Sequence, residues 1–228
     1  LKYLYHGWEY LLLASILLII SVYFRALRWG YLFNGQSTHH SNILFKTQFI
    51  GYFINNILPI RVGDVGRSYI IAKKTNNKVS YILGSIVMER FLDIIMILSF
   101  MCIVVGYYGF AYLDIELFSI QFPSYFFIIL IPFTAYLIYR SIIFIPVRMQ
   151  NILHEIWKGF TGIKFSDKGA VICYSIIIWG IYWINVFLIQ NVFPDIELQP
   201  LECLLILVAS SFLQMIPTGF GSFGIFHA

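Results

Sequence analysis

The stretch Phe53-Ile-Asn-Asn-Ile-Leu-Pro-Ile-Arg-Val-Gly-Asp-Val-Gly-Arg67 decides how the rest of the chain is read. An apolar run ends in two amides, Asn55 and Asn56, and stops at Pro59. It reopens as a short segment carrying Arg61, Asp64 and Arg67 together with Gly63 and Gly66. In a water-soluble protein this would be an ordinary loop. Here the surroundings are hydrocarbon-like: 60% of the 228 residues are hydrophobic and 11% are charged, with a mean hydropathy of +0.81. Soluble domains carry roughly 25% charged residues. A core of this size cannot hide so much apolar surface, so the chain reads as an all-α, polytopic integral membrane protein.

Outward from that stretch, residues 8–29 form an apolar run of a length that crosses a ~30 Å core at about 1.5 Å per residue. Trp8 and Trp29 sit at its ends as interfacial anchors, and Arg25 and Arg28 lie in its last turns. Further spans are expected over 80–107, 123–145 and 169–190, and an apolar segment over 201–216 ends at Pro217. Residues 146–168 place Ile152, Leu153, Ile156, Trp157 and Phe160 at helical spacing, the pattern of a helix lying on a membrane surface. Cys102, Cys173 and Cys203 are isolated in apolar runs, and His39, His40, His154 and His227 share no ligand spacing. Neither disulfide, metal nor cofactor is expected from them.

The charges orient the spans. Residues 60–79 carry Arg61, Arg67, Lys73, Lys74 and Lys78 against Asp64, and 140–168 are also basic. Both belong in the cytoplasm, while the acidic loops 108–122 and 191–200 belong outside. The run 43–58, with Lys46, Gln48, Asn55 and Asn56, is short and impure for a span, and both of its flanks are basic. A re-entrant hairpin that enters from the cytoplasm and returns near Pro59 satisfies both flanks. Irregular backbone at that depth is tolerated where it lines a cavity or is buried in protein. A short tilted span with 30–42 outside is the alternative.

An echo of the opening stretch lies near the end. Setting Pro59 over Pro217 aligns 56–66 with 214–224 and matches an amide, two apolar residues, the proline and two glycines. Three spans separate the copies, so they would face opposite ways, as in inverted repeats whose broken helices meet at a midplane site. The chain is then one transmembrane domain with halves of roughly 1–110 and 111–228. It reads as a piece of a longer chain.

Arg61, Asp64 and Arg67 are spaced so that neighbours touch on a helix. With Gly63 beside them they suit a phosphate at a helix N-terminus, and equally a basic cap facing lipid headgroups. Glu89, Arg90 and Asp93 sit inside the hydrocarbon zone, where each ionisable group costs about 2.5–3.5 kcal/mol on insertion scales. Such groups are functional candidates or a bracing network. Arg90 can pair with Asp93, while Glu89 and Asp93 need a cation from Arg61, Arg67 or Arg25. Gly219 and Gly221 in the second motif present backbone amides to an anion or let helices pack closely. There is no nucleophile–base–acid set and no nucleotide-binding glycine pattern.

At Arg25-x-x-Arg28-Trp29, Asn55-Asn-x-x-Pro-x-Arg-x-Gly-Asp-x-x-Arg67, Glu89-Arg-x-x-Asp93 and Pro217-x-Gly-x-Gly221, the chain resembles the lysylphosphatidylglycerol synthase transmembrane-region family, also called UPF0104. That family includes the flippase half of the multiple peptide resistance factor. The resemblance implies lipid translocation, and further helices at both ends. Family members often carry a Glu where this chain has Gly224, a departure that bears on a cationic headgroup. The expectation is an inner-membrane flippase for a phosphate-bearing lipid or lipid-linked intermediate. Arg61, Asp64, Arg67, Asn55, Asn56, Gly63, Gly219 and Gly221 would bind substrate. Glu89, Arg90, Asp93, Arg25 and Arg28 would line or gate the path. The partner is a lipid with an anionic headgroup, not nucleic acid, and an oligomer is compatible with all of this. A transferase acting on a polyprenyl-phosphate substrate and a scaffold for a lipid-modifying enzyme are the rivals.

Overall fold

The computed structural model describes residues 2–32, 41–58, 62–108, 147–193 and 196–215. Its elements are α1 (Lys2–Leu32), α2 (Ser41–Ile57), α3 (Val62–Thr75), α4 (Val79–Tyr108) and α5 (Val147–Phe160). A 3₁₀ turn at Phe165–Asp167, α6 (Lys168–Gln190) and α7 (Pro200–Met215) follow. No strand occurs among the described residues. Three stretches, Gly7–Leu32, Val79–Tyr108 and Phe165–Gln190, are long and apolar enough to cross a membrane. They coincide with the spans read at 8–29, 80–107 and 169–190, and the protein is an all-α, multi-pass membrane protein. The span expected at 123–145 and the motif Pro217-x-Gly-x-Gly221 lie outside the described residues.

The long helices invert the soluble pattern. On α4 the buried stripe runs Ile82, Ser85, Ile86, Glu89, Asp93 and Ile97, at the three- and four-residue steps of one helix face. The outer face carries exposed Val87, Phe91, Ile94, Leu98 and Met101. On α1 the buried stripe is Ala14, Ser21, Arg25, Arg28 and Leu32, and on α6 it is Val171, Ser175, Ile178 and Asn185. Polar groups therefore face inward, where they meet one another, and the aliphatic side chains are left to face hydrocarbon.

Contacts set the directions. Arg25 meets Asp93 while Trp29, one turn later, donates to Ser85, two turns earlier on α4, so α1 and α4 run antiparallel. Arg28 meets Ser175 and Arg25 meets Tyr182, so α1 and α6 do too. One apolar cluster joins Trp29 and Leu32 near the end of α1, Leu44 near the start of α2, Ile71 and Ala72 late in α3, Ile82 and Ile86 early in α4, and Val171. Thus α2 and α3 form a helical hairpin that leaves the bundle at the end where it entered.

The hairpin closes tightly because two glycines meet. A Cβ on Gly63 would stand 2.1 Å from the Gly51 carbonyl oxygen. At its tip the Gly63 N–H donates to Asn55 Oδ1 at 2.8 Å, so an amide late in α2 caps the first turn of α3. The far end of α3 stops at Asn76, in the left-handed region with φ 54°, and the Asn77 N–H closes back on the Ala72 carbonyl at 3.1 Å. The helix α5, expected from its apolar spacing, packs backbone to backbone on the start of α4. A Cβ on Gly159 would lie 1.9 Å from the Tyr81 carbonyl oxygen. Exposed Leu153 and Trp157 form the outer face of α5.

Candidate functional site

Three helices bring their charged residues to one level of the bundle. Arg25 and Arg28 are one turn apart on α1, Glu89 and Asp93 one turn apart on α4, and Asp64 and Arg67 one turn apart on α3. Asp93 is the densest point. Its Oδ2 accepts from Arg25, its Oδ1 accepts from Arg28 at 2.8 Å, and the Trp179 indole N–H approaches the same Oδ1 at 3.4 Å. Glu89 is ringed by Arg67 at 3.0 Å, Arg25 at 3.4 Å and Arg28 at 3.7 Å. Asp64 bridges Arg67 at 3.2 Å and Arg90 at 3.2 Å. Four guanidiniums thus face three carboxylates, an excess of one formal positive charge.

Neutral groups complete the network. Arg28 donates to Ser175 Oγ at 3.0 Å, and Arg67 donates to Gln48 on α2 while its guanidinium lies 4.9 Å from the Trp29 ring centroid. The Trp29 indole in turn donates to Ser85 Oγ at 3.0 Å. Arg28, Arg67 and Glu89 are buried to within 2% of complete. Such charges survive in an apolar bundle because each is paired and most are also hydrogen-bonded. The network is sandwiched between the apolar cluster around Trp29 and a second one built from Ile97, Ile178, Trp179, Leu204 and Leu207.

Beside the network is a half-open cavity of about 570 Å³ between α1, α2, α4, α6 and α7. Arg25, Arg90 and Asp93 form its charged wall, and Tyr52 and Tyr182 stand next to them. The rest of its lining is uncharged and largely apolar, from Leu18 and Val22 to Val186, Ile189 and Leu207, with Asn185 on α6 and Ser210, Ser211 and Gln214 on α7 as its polar groups. Asn185 is 5% exposed, and neither its Nδ2 nor its Oδ1 has a hydrogen-bond partner among the described residues. No group of three or more potential metal-ligating His, Cys, Asp or Glu residues occurs among the described residues.

Sequence reasoning singled out every charged member of the network: Arg25, Arg28, Asp64, Arg67, Glu89, Arg90 and Asp93. Of the three cations that reach Glu89 and Asp93, Arg25 and Arg67 were among those named for them and Arg28 was not. Arg90 turns to Asp64 on the neighbouring helix and not to Asp93 on its own. Arg67 is committed to Glu89, Asp64 and Gln48 and is not part of the cavity wall. Asn55 and Gly63 meet in the hairpin tip, while Asn56 is exposed. Arg61, Gly219 and Gly221 lie outside the described residues. Gln48, Ser175, Trp179, Tyr182 and Asn185 were missed as site residues. A signal was there: Gln48 and Asn185 are amides inside apolar helices, and Asn185 is in helical register with Ser175, Ile178 and Tyr182.

The profile of the lysylphosphatidylglycerol synthase TM region matches residues 2–228. The UPF0104 membrane protein MJ1078 of Methanocaldococcus jannaschii is 28% identical over 174 residues, 72% of this chain and 71% of that protein. MJ1595 of the same organism is 33% identical over 58% of this chain and 39% of its own length. PH1989 of Pyrococcus horikoshii is 32% identical over 41% of this chain and 29% of its own length. No solved structure matches. With the profile covering nearly every residue, the chain belongs to the lysylphosphatidylglycerol synthase transmembrane-region family, also known as UPF0104.

Proposed function

We propose that the chain moves a phosphate-bearing lipid or lipid-linked intermediate between the leaflets of the cell's inner membrane. The observation that carries this reading is the half-open cavity among helices long enough to span, with Arg25 and Arg90 on its wall. The network behind that wall holds one more guanidinium than carboxylate, so an entering phosphate meets a net positive field. A headgroup slides through the cavity while its acyl or prenyl chains stay against the exposed aliphatic faces of α1 and α4. Basic residues at the shared end of α1, α3 and α4 put that end in the cytoplasm. On this reading the α2–α3 hairpin is re-entrant: 17 and 14 residues are each shorter than the ~20 that a crossing needs. Arg90 and Arg25 hold the phosphate, Arg61 is a further candidate by its place in the sequence directly before α3, and Arg67 holds the hairpin to α4 from behind. The seventh helix, 16 residues against 17 for α2, precedes the second Pro-Gly motif and supplies the opposite half-site of an inverted pair.

Headgroup accessibility in reconstituted vesicles tests this. Arg90→Ala and Arg61→Ala are expected to slow transfer of an anionic phospholipid by at least roughly tenfold each, the size of one lost charge-assisted hydrogen bond. Parental rates in both variants would remove the phosphate assignment. Two observations favour transport over its rivals. A transferase on a polyprenyl-phosphate substrate would draw on Asp64, Glu89 or Asp93, and all three are held by guanidiniums. A scaffold needs no cavity. Turnover of a lipid-linked donor by the purified chain would reverse that order.

A further inference from the structure

We infer that the cavity takes a lipid head in which an anionic phosphodiester carries an uncharged, hydroxyl-bearing group, and that Asn185 reads those hydroxyls. This rests on the lipid-transport reading above and narrows the substrate class.

The two walls of the cavity differ in kind. On the charged wall Arg90 spends one nitrogen on Asp64, at 3.2 Å to each carboxylate oxygen, and its buried Nε has no hydrogen-bond partner. That side has donors to spare for a phosphodiester. The uncharged part of the lining has no charge to offer. Ser210 and Ser211 donate to the Leu207 carbonyl at 3.0 and 2.7 Å, which leaves their lone pairs to accept. Asn185 presents an amide that both donates and accepts, 95% buried and bonded to nothing. A buried amide in that state is expensive unless something entering the cavity completes it. A hydroxyl, which also donates and accepts, is the complementary group.

A cationic aminoacyl head meets the opposite situation. Among the described residues Asp93 is the one acid on the cavity wall, and two guanidiniums and the Trp179 indole already claim it. An ammonium would enter a net positive field with no carboxylate to receive it.

The shared chemistry, a phosphodiester with a hydroxylated neutral head, has two sources: a glycerol-headed phospholipid or a sugar-bearing polyprenyl phosphate. The test reconstitutes the chain in vesicles carrying phosphatidylglycerol, its lysyl ester, or a glycosyl polyprenyl phosphate. Impermeant periodate reads diol-bearing heads, and an impermeant amine reagent reads the lysyl ester. At least one hydroxylated lipid is expected to cross roughly tenfold or more faster than the lysyl ester. Whichever of the two is faster names the source. Asn185→Asp, nearly isosteric, is expected to raise the lysyl-ester rate relative to the hydroxylated lipid. Asn185→Leu is expected to slow the hydroxylated lipid with no loss of thermal stability. Equal rates for lysyl and hydroxylated lipids in the parent, or parental selectivity in Asn185→Asp, overturns the inference and leaves transport standing. Failure of all three lipids to cross overturns transport itself.

Discussion

The ion network and Asn185 adjoin one cavity, yet every charge in the first is paired and the amide of the second is not. In the network each carboxylate is shared by at least two guanidiniums, and Gln48, Ser175 and Trp179 add neutral partners. On the Asn185 wall the serines bond to their own helix and the carboxamide bonds to nothing. A cluster whose charges are all ion-paired in an apolar medium is a structural clamp, because any departure strands a charge, even though the Nε atoms of Arg25, Arg28 and Arg90 and Gln48 Nε2 have no hydrogen-bond partner among the described residues. An unsaturated polar surface beside it is a place to bind. The contrast puts the clamp and the cavity on adjoining sides of α4, with Arg25, Arg90 and Asp93 belonging to both.

The largest break should come from removing the hub of the clamp. Glu89→Ala leaves Arg67, Arg25 and Arg28 short of a buried counter-charge and is expected to destabilise by about 3–5 kcal/mol. Denaturant unfolding in detergent measures it, and a loss as small as that of an exposed site would show that the cluster is not a clamp. Next, Gly63→Val drives a Cβ into the Gly51 carbonyl and pries α3 from α2. Overpacking of this kind costs about 1–3 kcal/mol. It should also loosen the Gly63–Asn55 cap, read as faster amide exchange at the hairpin tip.

The sharpest contrast is Asn185→Leu. A clamp residue loses stability on truncation, whereas replacing an unpartnered buried amide by an apolar side chain is expected to raise stability by about 1 kcal/mol. A drop in unfolding temperature would mean that Asn185 is part of the clamp. The smallest effect belongs to Glu155 on α5, outside both regions. Its hydrogen bond from Lys78, at 2.9 Å, holds its carboxyl below the usual carboxylate range. A depressed folded-state pKa gives stability that is present above the unfolded value and is lost as pH falls through the folded one. Lys78→Met should flatten a slight acid-side slope in the stability profile and leave neutral-pH stability and transport unchanged.

Much of this was legible in the residues. The apolar runs announced the spans, because their length and composition answer directly to bilayer thickness. The seven charged residues announced themselves, since charge in oil must be paired. Asn55 was marked by its place before Pro59, and its side chain accepts from the Gly63 N–H in the first turn of α3. Local spacing failed at the pairing: i, i+3 geometry suggested Arg90 with Asp93, and the neighbouring helix supplied Asp64 instead. It failed too at Asn185, whose meaning depends on which helix lies opposite.

A membrane protein's composition answers to its solvent, so hydropathy and the register of the polar stripes followed from the order of residues alone. Which guanidinium meets which carboxylate did not. Those partners lie far apart in the chain, 65 residues for Arg28 and Asp93, and a periodicity carries no information about another helix's rotation. Packing of α1 between α4 and α6 decided that the charges close on one another and that the Asn185 amide is left at the cavity.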